Sequence, residues 1–190
     1  MNKIVLLFLV PAIGLISCKS PNEDFDRLQI AKDYYQALND SNGAKMSELL
    51  TDSLRTAEMD YDYVQTFSKK EYIEEWMKWD AVFGPTYTVQ EIEQDGELVK
   101  AQVSKVDKRI SLLHEGPTVW NAVIHFEADK IVNIERSNVV FNDELWLKNR
   151  QDLINWIDSN HPELSGFLNG QNERMGMQYL KVIELYEIEK

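Results

Sequence analysis

The chain has 190 residues, and its 32 acidic and 20 basic side chains give a formal net charge of −12. This balance argues against binding to nucleic acid or to an anionic membrane surface, because both require clustered cations. The chain contains a single cysteine, which excludes an internal disulfide, so the core alone must hold the fold.

The first 18 residues have the features of a lipoprotein signal peptide. Lys3 precedes an apolar run from Ile4 to Ile16, which is shorter than the ~20 residues needed to span a bilayer. The tetrapeptide Leu-Ile-Ser-Cys that ends at Cys18 resembles a lipobox, in which lipid is added to the cysteine sulfur before cleavage. The alternative is an ordinary signal peptide with a chance cysteine, but the lone cysteine lies where a lipobox requires it.

These features predict that residues 1–17 are removed and that lipid on Cys18 attaches the protein to a membrane. Residues 18–24 then form a short polar tether. Two or three acyl chains anchor a protein stably where a single chain does not. We therefore expect the protein in the cell envelope, at the outer membrane, on its periplasmic or surface-exposed side.

Three helices are predicted in the next part of the chain. The first runs from Phe25 to Asn39 and the second from Ala44 to Leu50. Residues 52–67 show no clean period, which indicates an irregular segment with at most one short strand. The third helix begins at Ser68, which has the capping-box spacing to Glu71. Its apolar stripe contains Tyr72, Trp76, Trp79 and Phe83.

From Thr86 onward the pattern changes to the period of two that is typical of strands. Four strands are predicted, with apolar rows at Tyr87 and Val89, at Val99, Ala101 and Val103, at Trp120, Ala122, Ile124 and Phe126, and at Val132 and Ile134. Two further helices are predicted after residue 141, the second from about Asn172. Helices followed by hairpin-linked strands predict an α+β fold with an antiparallel sheet.

Four segments carry a family pattern in a fixed order: Ala31–Asn39, Leu49–Asp52, Trp76–Trp79 with Phe83, and Ile124–Ile131. Through them residues 25–138 resemble the nuclear transport factor 2-like superfamily, which includes SnoaL-like cyclases and ketosteroid isomerases. The resemblance implies a cone, in which three N-terminal helices lie on a curved antiparallel sheet and often leave an apolar pocket. The domain would then cover residues 25–140, and residues 141–190 would form a helical extension.

Asp80 is the candidate catalytic residue. At helical spacing it falls within the apolar stripe, so it would lie at the edge of an aromatic-lined cavity if that stripe faces the sheet. Desolvation there would raise the pKa of Asp80, unless a partner such as Arg136 or a backbone amide stabilises the ionised carboxylate. The alternative is that Asp80, in the last turn of its helix, reaches solvent or a nearby amide.

The inward rows and the aromatic stripe supply the candidate pocket residues, which are Tyr35, Trp76, Trp79, Tyr87, Trp120, Ile124 and Arg136. A tryptophan stripe at helical spacing more often belongs to the core than to a ligand site, so both interpretations stay open. Ionisable residues occur only toward the ends of the inward rows, where rim salt bridges are the simplest explanation. They are Glu91, Lys105, Asp107 and Arg136.

No cofactor and no metal site are expected. His114, His125 and His161 are far apart in the sequence and lack the paired spacing of metal ligands. The sequence also has no phosphate-binding glycine loop and no nucleophile elbow. Alternation along the third predicted strand places His125 on the outer face of the sheet, away from the cone's interior.

Three functions remain open from the sequence. The leading hypothesis is a non-catalytic module that binds an apolar small molecule or a protein partner in the cone, with a homodimer through the sheet as a further expectation. The second is an isomerase, cyclase or dehydratase that uses Asp80 as general base. The third is a structural envelope protein that acts through its C-terminal helices. The contents of the cone should discriminate between them.

Overall fold

The computed structural model describes residues 26–190. The predicted signal peptide, the lipid site at Cys18 and the tether lie outside the described residues. None of the helices between residues 26 and 190 combines the length and the apolar character that crossing a bilayer requires.

Residues 26–190 form seven α-helical segments. They are α1 (Arg27–Asn39), α2 (Gly43–Leu49), α3 (Lys69–Glu71), α4 (Met77–Ala81), α5 (Lys108–His114), α6 (Asp143–Asn160) and α7 (Glu173–Glu189). A π-helical turn at Tyr72–Trp76 joins α3 to α4, so these pieces make one rod in the position of the third predicted helix. The predicted capping box is confirmed, because Ser68 and Glu71 exchange both hydrogen bonds.

The same residues form one six-stranded sheet in the order β2-β1-β6-β5-β4-β3. Its strands are β1 (Leu50–Glu58), β2 (Tyr63–Ser68), β3 (Thr86–Asp95), β4 (Leu98–Val106), β5 (Thr118–Glu127) and β6 (Lys130–Val140). All neighbours are antiparallel except β1 and β6, which run parallel. The sheet is curved and unclosed, and the predicted α+β cone with a helical extension is confirmed.

The interpretation of residues 52–67 as an irregular segment was wrong, because β1 and β2 occupy most of it. In β1 the buried side chains are Leu50, Leu54 and Ala57, at intervals of four and three, since a register shift interrupts its pairing with β6. In β2, an edge strand, only Phe67 is buried. Neither strand therefore displays the alternation by which a strand is recognised in a sequence.

The π turn divides the aromatic stripe of the third rod between two hydrophobic clusters. A π turn contains an extra residue, so the positions after it are rotated relative to an uninterrupted helix. As a result Tyr72 and Met77 lie in the core of the cone, whereas Trp79 and Phe83 pack with the C-terminal helices. The aromatic stripe therefore does not face the sheet along its whole length.

The extension has its own core, built from α6, α7 and the end of α4. Leu153 and Ile157 of α6 and Val182 and Ile183 of α7 are fully buried in it. Helix α7 approaches α4 closely at Gly176, where a Cβ atom would lie 3.1 Å from the backbone oxygen of Trp79. The extension is thus joined to the cone through the last turns of the third rod.

Candidate functional site

A cavity of about 260 Å³ lies at one end of the cone, between the sheet, α4, α5 and the start of α6. Its walls combine aromatic and charged side chains. The lining residues are Glu58, Trp76, Trp79, Asp80, Tyr87, Lys105, Arg109, Ile110, Thr118, Trp120, Arg136, Phe141, Trp146 and Gln171. The strand hairpins at Asp95–Leu98 and Glu127–Lys130 mark the other end of the sheet. We call these two ends the cavity end and the hairpin end.

Asp80 is buried, and both of its carboxylate oxygens are engaged. Lys105 Nζ donates to Oδ1 at 2.5 Å, and the hydroxyl of Tyr87 donates to Oδ2 at 2.7 Å. Burial and the Asp80 carboxylate raise the pKa of Tyr87, which keeps this hydroxyl protonated as a donor. The partners of Asp80 are therefore a lysine and a tyrosine rather than Arg136.

Lys105 and Asp80 belong to a group of four charges, which we call the closed cluster: Asp80, Lys105 and Asp107 are buried, and Arg109 has 15 % of its side chain exposed. Lys105 Nζ lies 3.2 Å from Asp107 Oδ2, and Arg109 Nη2 donates to the same oxygen at 3.1 Å. Arg109 also lies 3.9 Å from Asp80 Oδ1. The two positive and two negative charges neutralise each other within the cluster.

Local structure explains how these charges come together. Lys105 is near the end of β4, and Asp107 caps α5 by accepting a hydrogen bond from the backbone N–H of Ile110 at 2.6 Å. Burial raises the pKa of Asp107, but Arg109, Lys105 and this N–H outweigh it and hold the pKa below its ordinary value. The guanidinium of Arg109 lies 4.6 Å from the ring centroid of Trp79, which stabilises the cation.

A second pair of charges, which we call the open pair, lies on the sheet side of the cavity. Arg136 Nη1 on β6 donates to Glu58 Oε1 on β1 at 3.3 Å, and these side chains are 21 % and 35 % exposed. The guanidinium also lies 5.8 Å from the ring centroid of Trp120. Burial raises the pKa of Tyr34 and Tyr72, and the charge of Arg136 acts in the opposite direction, which places both hydroxyls within its field.

The predicted site residues divide into two groups. The cavity brings together Asp80 with five candidate pocket residues, namely Trp76, Trp79, Tyr87, Trp120 and Arg136. Tyr35 and Ile124 do not line it: both are buried in the core of the cone, where Ile124 pairs with Val99 across the strands. The catalytic role assigned to Asp80 stays a prediction.

The expectation of rim salt bridges was wrong for Lys105 and Asp107, which are buried with 6 % and 3 % of their surface exposed. Both lie where β4 meets α5, a helix that sequence reasoning left unassigned. The spacing from Asp107 to Ile110 is that of a helix N-cap and could have indicated it. Glu91, by contrast, is exposed.

Other lining residues had no local signal at all. Trp146 and Gln171 come from the extension and reach the cavity only through tertiary packing. Trp146 packs on Phe141, which stacks in turn on His114 at a ring distance of 5.3 Å. His114 Nδ1 donates to the carbonyl oxygen of Gly116, and its Nε2 accepts from the backbone N–H of Asn142, the N-cap of α6. The ring therefore fixes this wall of the cavity.

Among residues 26–190, no group of three or more histidine, cysteine, aspartate or glutamate side chains is arranged to hold a metal ion. His125 is half-buried on the outer face of the sheet, 3.5 Å from Glu135.

No protein-family model matches the chain, and no curated protein matches its sequence. Solved structures do match. IdmH of Streptomyces antibioticus, a candidate polyketide cyclase, aligns with a TM-score of 0.50 over 66 % of this chain and 99 % of its own, at 14 % identity. The chain has the nuclear transport factor 2-like fold.

Two further matches lie in the same fold group. A candidate ketosteroid isomerase from Kribbella flavida aligns over 62 % of this chain and 80 % of its own, with a TM-score of 0.49 and 13 % identity. A nuclear transport factor 2-like protein of unknown function from Cytophaga hutchinsonii covers 62 % of this chain and 93 % of its own, with a TM-score of 0.47 and 12 % identity. At these identities the likeness concerns the fold alone.

Proposed function

We propose that this protein binds a small organic molecule in the cavity at the cavity end of its cone. The observation that carries the proposal is the cavity itself, about 260 Å³ in volume, which has aromatic walls and a few charged groups directed into it. Ligand sites in proteins typically combine apolar walls with a small number of placed polar groups. Arg136 and Glu58 retain partial exposure there, so a ligand can reach them.

We further propose that lipid on Cys18 tethers the protein and that its cavity faces away from the membrane. Helix α1 starts at Arg27, whose guanidinium lies 6.0 Å from the ring centroid of Phe126 near the hairpin end. The cavity occupies the opposite end, near the last residues of β6. Such a geometry would present the cavity to solutes or partners beyond the membrane surface.

Tryptophan fluorescence offers a direct test of ligand binding, because four of the five tryptophans line the cavity: Trp76, Trp79, Trp120 and Trp146. We expect small aromatic compounds to quench this emission saturably. The variant Trp146→Ala should weaken binding, because it removes one wall. Its neighbour Leu147 on α6 is 59 % exposed, so Leu147→Ala is the matched control and should bind normally. Equal affinities for both variants would place the ligand elsewhere.

The tether has an independent test. We expect Cys18→Ser to abolish incorporation of an alkyne-labelled fatty acid and to release the protein from the membrane fraction. Retention of the unlabelled variant in that fraction would contradict lipid anchoring, while leaving the cavity proposal untouched.

The enzymatic alternative, with Asp80 as general base, stays a prediction. Lys105 and Tyr87 already occupy both oxygens of the carboxylate, so proton abstraction would first require Asp80 to exchange a partner for substrate. The carboxylate is therefore not isolated among apolar walls. A protein partner and a homodimer through the sheet also stay predictions, as does a purely structural role of the extension.

A further inference from the structure

Two members of the closed cluster, Lys105 and Asp107, use up their hydrogen-bonding capacity within it. The ammonium group of Lys105 has three donors and meets Asp80, Asp107 and the ring face of Tyr87, whose centroid is 4.9 Å from Nζ. Asp107 accepts from Ile110 N–H, Lys105 and Arg109. A ligand would therefore find Lys105 and Asp107 already satisfied. Arg109 donates one N–H to Asp107, but its Nε is buried without a hydrogen-bond partner.

Arg136 also has more N–H donors than the acceptors it meets, and its side chain is more exposed than that of Arg109, at 21 % against 15 %. A guanidinium carries five N–H donors in a planar fork, suited to a carboxylate. Among residues 26–190, Glu58 is the one carboxylate that pairs with Arg136, through a single N–H at 3.3 Å. Glu58 raises the pKa of the guanidinium above its ordinary value despite the lowering effect of burial, so Arg136 keeps its charge in the cavity wall. Donors thus remain for a second acceptor.

The aromatic walls disfavour a cationic ligand. A cation would bind most favourably over the face of a tryptophan ring. The protein's own cations already lie against two of these rings, Arg109 at 4.6 Å from Trp79 and Arg136 at 5.8 Å from Trp120. The ring of Trp76 is stacked on Tyr72 at 4.9 Å. A further positive charge would meet covered ring faces and a lining in which the three cations outnumber the carboxylates of Glu58 and Asp80 by one.

A purely apolar ligand fits poorly as well, because it would cover the remaining donors of Arg136 without replacing their hydrogen bonds to water. Leaving such donors unpaired costs about 1–3 kcal/mol, and more for a charged group. A flat ligand with an anionic acceptor avoids this cost. Its ring can lie against the tryptophan side chains while its carboxylate meets the guanidinium.

We propose that the cavity binds a planar organic carboxylate, with Arg136 as the residue that determines specificity for the anion. This inference rests on the proposed ligand-binding function. In the complex, Arg136 shares its fork between Glu58 and the ligand, and the closed cluster positions the opposite wall.

Three naphthalene derivatives of one shape and different charge test the proposal by isothermal titration calorimetry: 2-naphthoate, 2-naphthamide and 2-naphthylmethylamine. With the wild-type protein we expect 2-naphthoate to bind about tenfold more tightly than 2-naphthamide, as a charge-assisted bidentate contact allows. We expect the amine to bind most weakly. In Arg136→Gln the preference for the carboxylate should disappear.

The control for this variant is Arg55→Gln. Arg55 is also a strand arginine, and it lies 3.7 Å from Glu135 with 42 % of its side chain exposed. Its loss should leave all three affinities unchanged. A second variant, Glu58→Gln, removes the competing carboxylate and should tighten 2-naphthoate binding by about threefold to tenfold. Because this variant predicts a gain, a folding defect cannot imitate the expected result.

The outcomes separate the two proposals. If the three compounds bind equally well, or if the amine binds best, the carboxylate specificity is wrong while ligand binding in the cavity stands. If 2-naphthoate keeps its preference in Arg136→Gln, another residue selects the anion and the inference is overturned. If none of the three compounds binds, both the inference and the proposed function fail.

Discussion

The closed cluster and the open pair lie in the same cavity, yet they hold their charges in different ways. The closed cluster joins four charges whose side chains are 0–15 % exposed, and each is met by more than one partner. The open pair joins one arginine to one glutamate by a single contact, with 21 % and 35 % of the side chains exposed. The difference is consistent with the proposal that the more buried charges hold the wall of the cavity and the more exposed pair meets the ligand.

The physical basis is the cost of desolvation. A charge taken out of water needs several compensating partners, and removing one of them strands the others in a low-dielectric site. A partly exposed pair is compensated by water and can exchange partners at small cost. The same chemical groups therefore act as structure or as a binding site according to their burial.

The largest effect should come from breaking the closed cluster. Lys105→Met leaves Asp80 and Asp107 without their shared cation, so we expect a loss of about 3–5 kcal/mol in the free energy of unfolding, measured by urea titration. The control is Lys100→Met, because Lys100 lies on the same strand and pairs with Asp95 in solvent. Its unfolding midpoint should stay close to that of the wild type. Similar losses for the two variants would contradict the greater structural role of the closed cluster.

The pH dependence of stability tests how much one charge of the closed cluster, that of Asp107, stabilises the fold. Asparagine can keep the cap on α5 but not the charge, so Asp107→Asn should cost about 2 kcal/mol at pH 7, in the range of a hydrogen bond to a charged group. The folded-state pKa of Asp107 lies below its ordinary value. The charge of Asp107 therefore contributes fully to the free energy of unfolding above the unfolded-state pKa of about 3.9, and this contribution is lost as the pH falls further.

Urea titrations of the wild type and of Asp107→Asn should therefore differ by a constant amount from pH 7 to about pH 5. Below about pH 4 the difference should shrink, since the wild-type carboxyl becomes protonated as well. A difference that grows on acidification would show that the charge of Asp107 destabilises the fold.

A smaller effect is expected where the extension supports the closed cluster. A larger side chain at Gly176 would meet Trp79, the residue on which Arg109 stacks. Gly176→Val should lower the free energy of unfolding by about 1–3 kcal/mol through overpacking. Met177→Val carries the same β-branched side chain on an adjacent, exposed position of α7 and serves as the control. Because helix propensity favours valine over glycine, a Gly176→Val variant as stable as the wild type would contradict the close contact with the cone.

The smallest effect on stability should follow from changing the open pair. Arg136→Gln should reduce the free energy of unfolding by about 1 kcal/mol or less, because Glu58 remains in contact with water. The same urea titration measures it. A loss as large as that of Lys105→Met would place Arg136 among the structural charges and weaken its assignment to ligand recognition.

Sequence reasoning found most of the cone because its elements carry strong periodic signals. The apolar rows of β4 and β5 are buried on one face of the sheet, where Val99, Val103 and Ile124 are fully buried. The capping box at Ser68 marked the start of the third rod correctly. Where the period failed, as in β1 with its register shift and in the solvent-facing edge strand β2, the prediction failed too.

The candidate site shows the same limit. The sequence alone determined which residues carry charge and aromatic surface, and the alternation of strands was enough to place Trp120 and Arg136 toward one cavity. Only the tertiary structure decided what each charge meets. The π turn rotates Trp79 toward the extension, β4 brings Lys105 to Asp80, and α6 brings Trp146 to the cavity. Local pattern reports the period of a segment, whereas partners are set by contacts between segments that lie far apart in the chain.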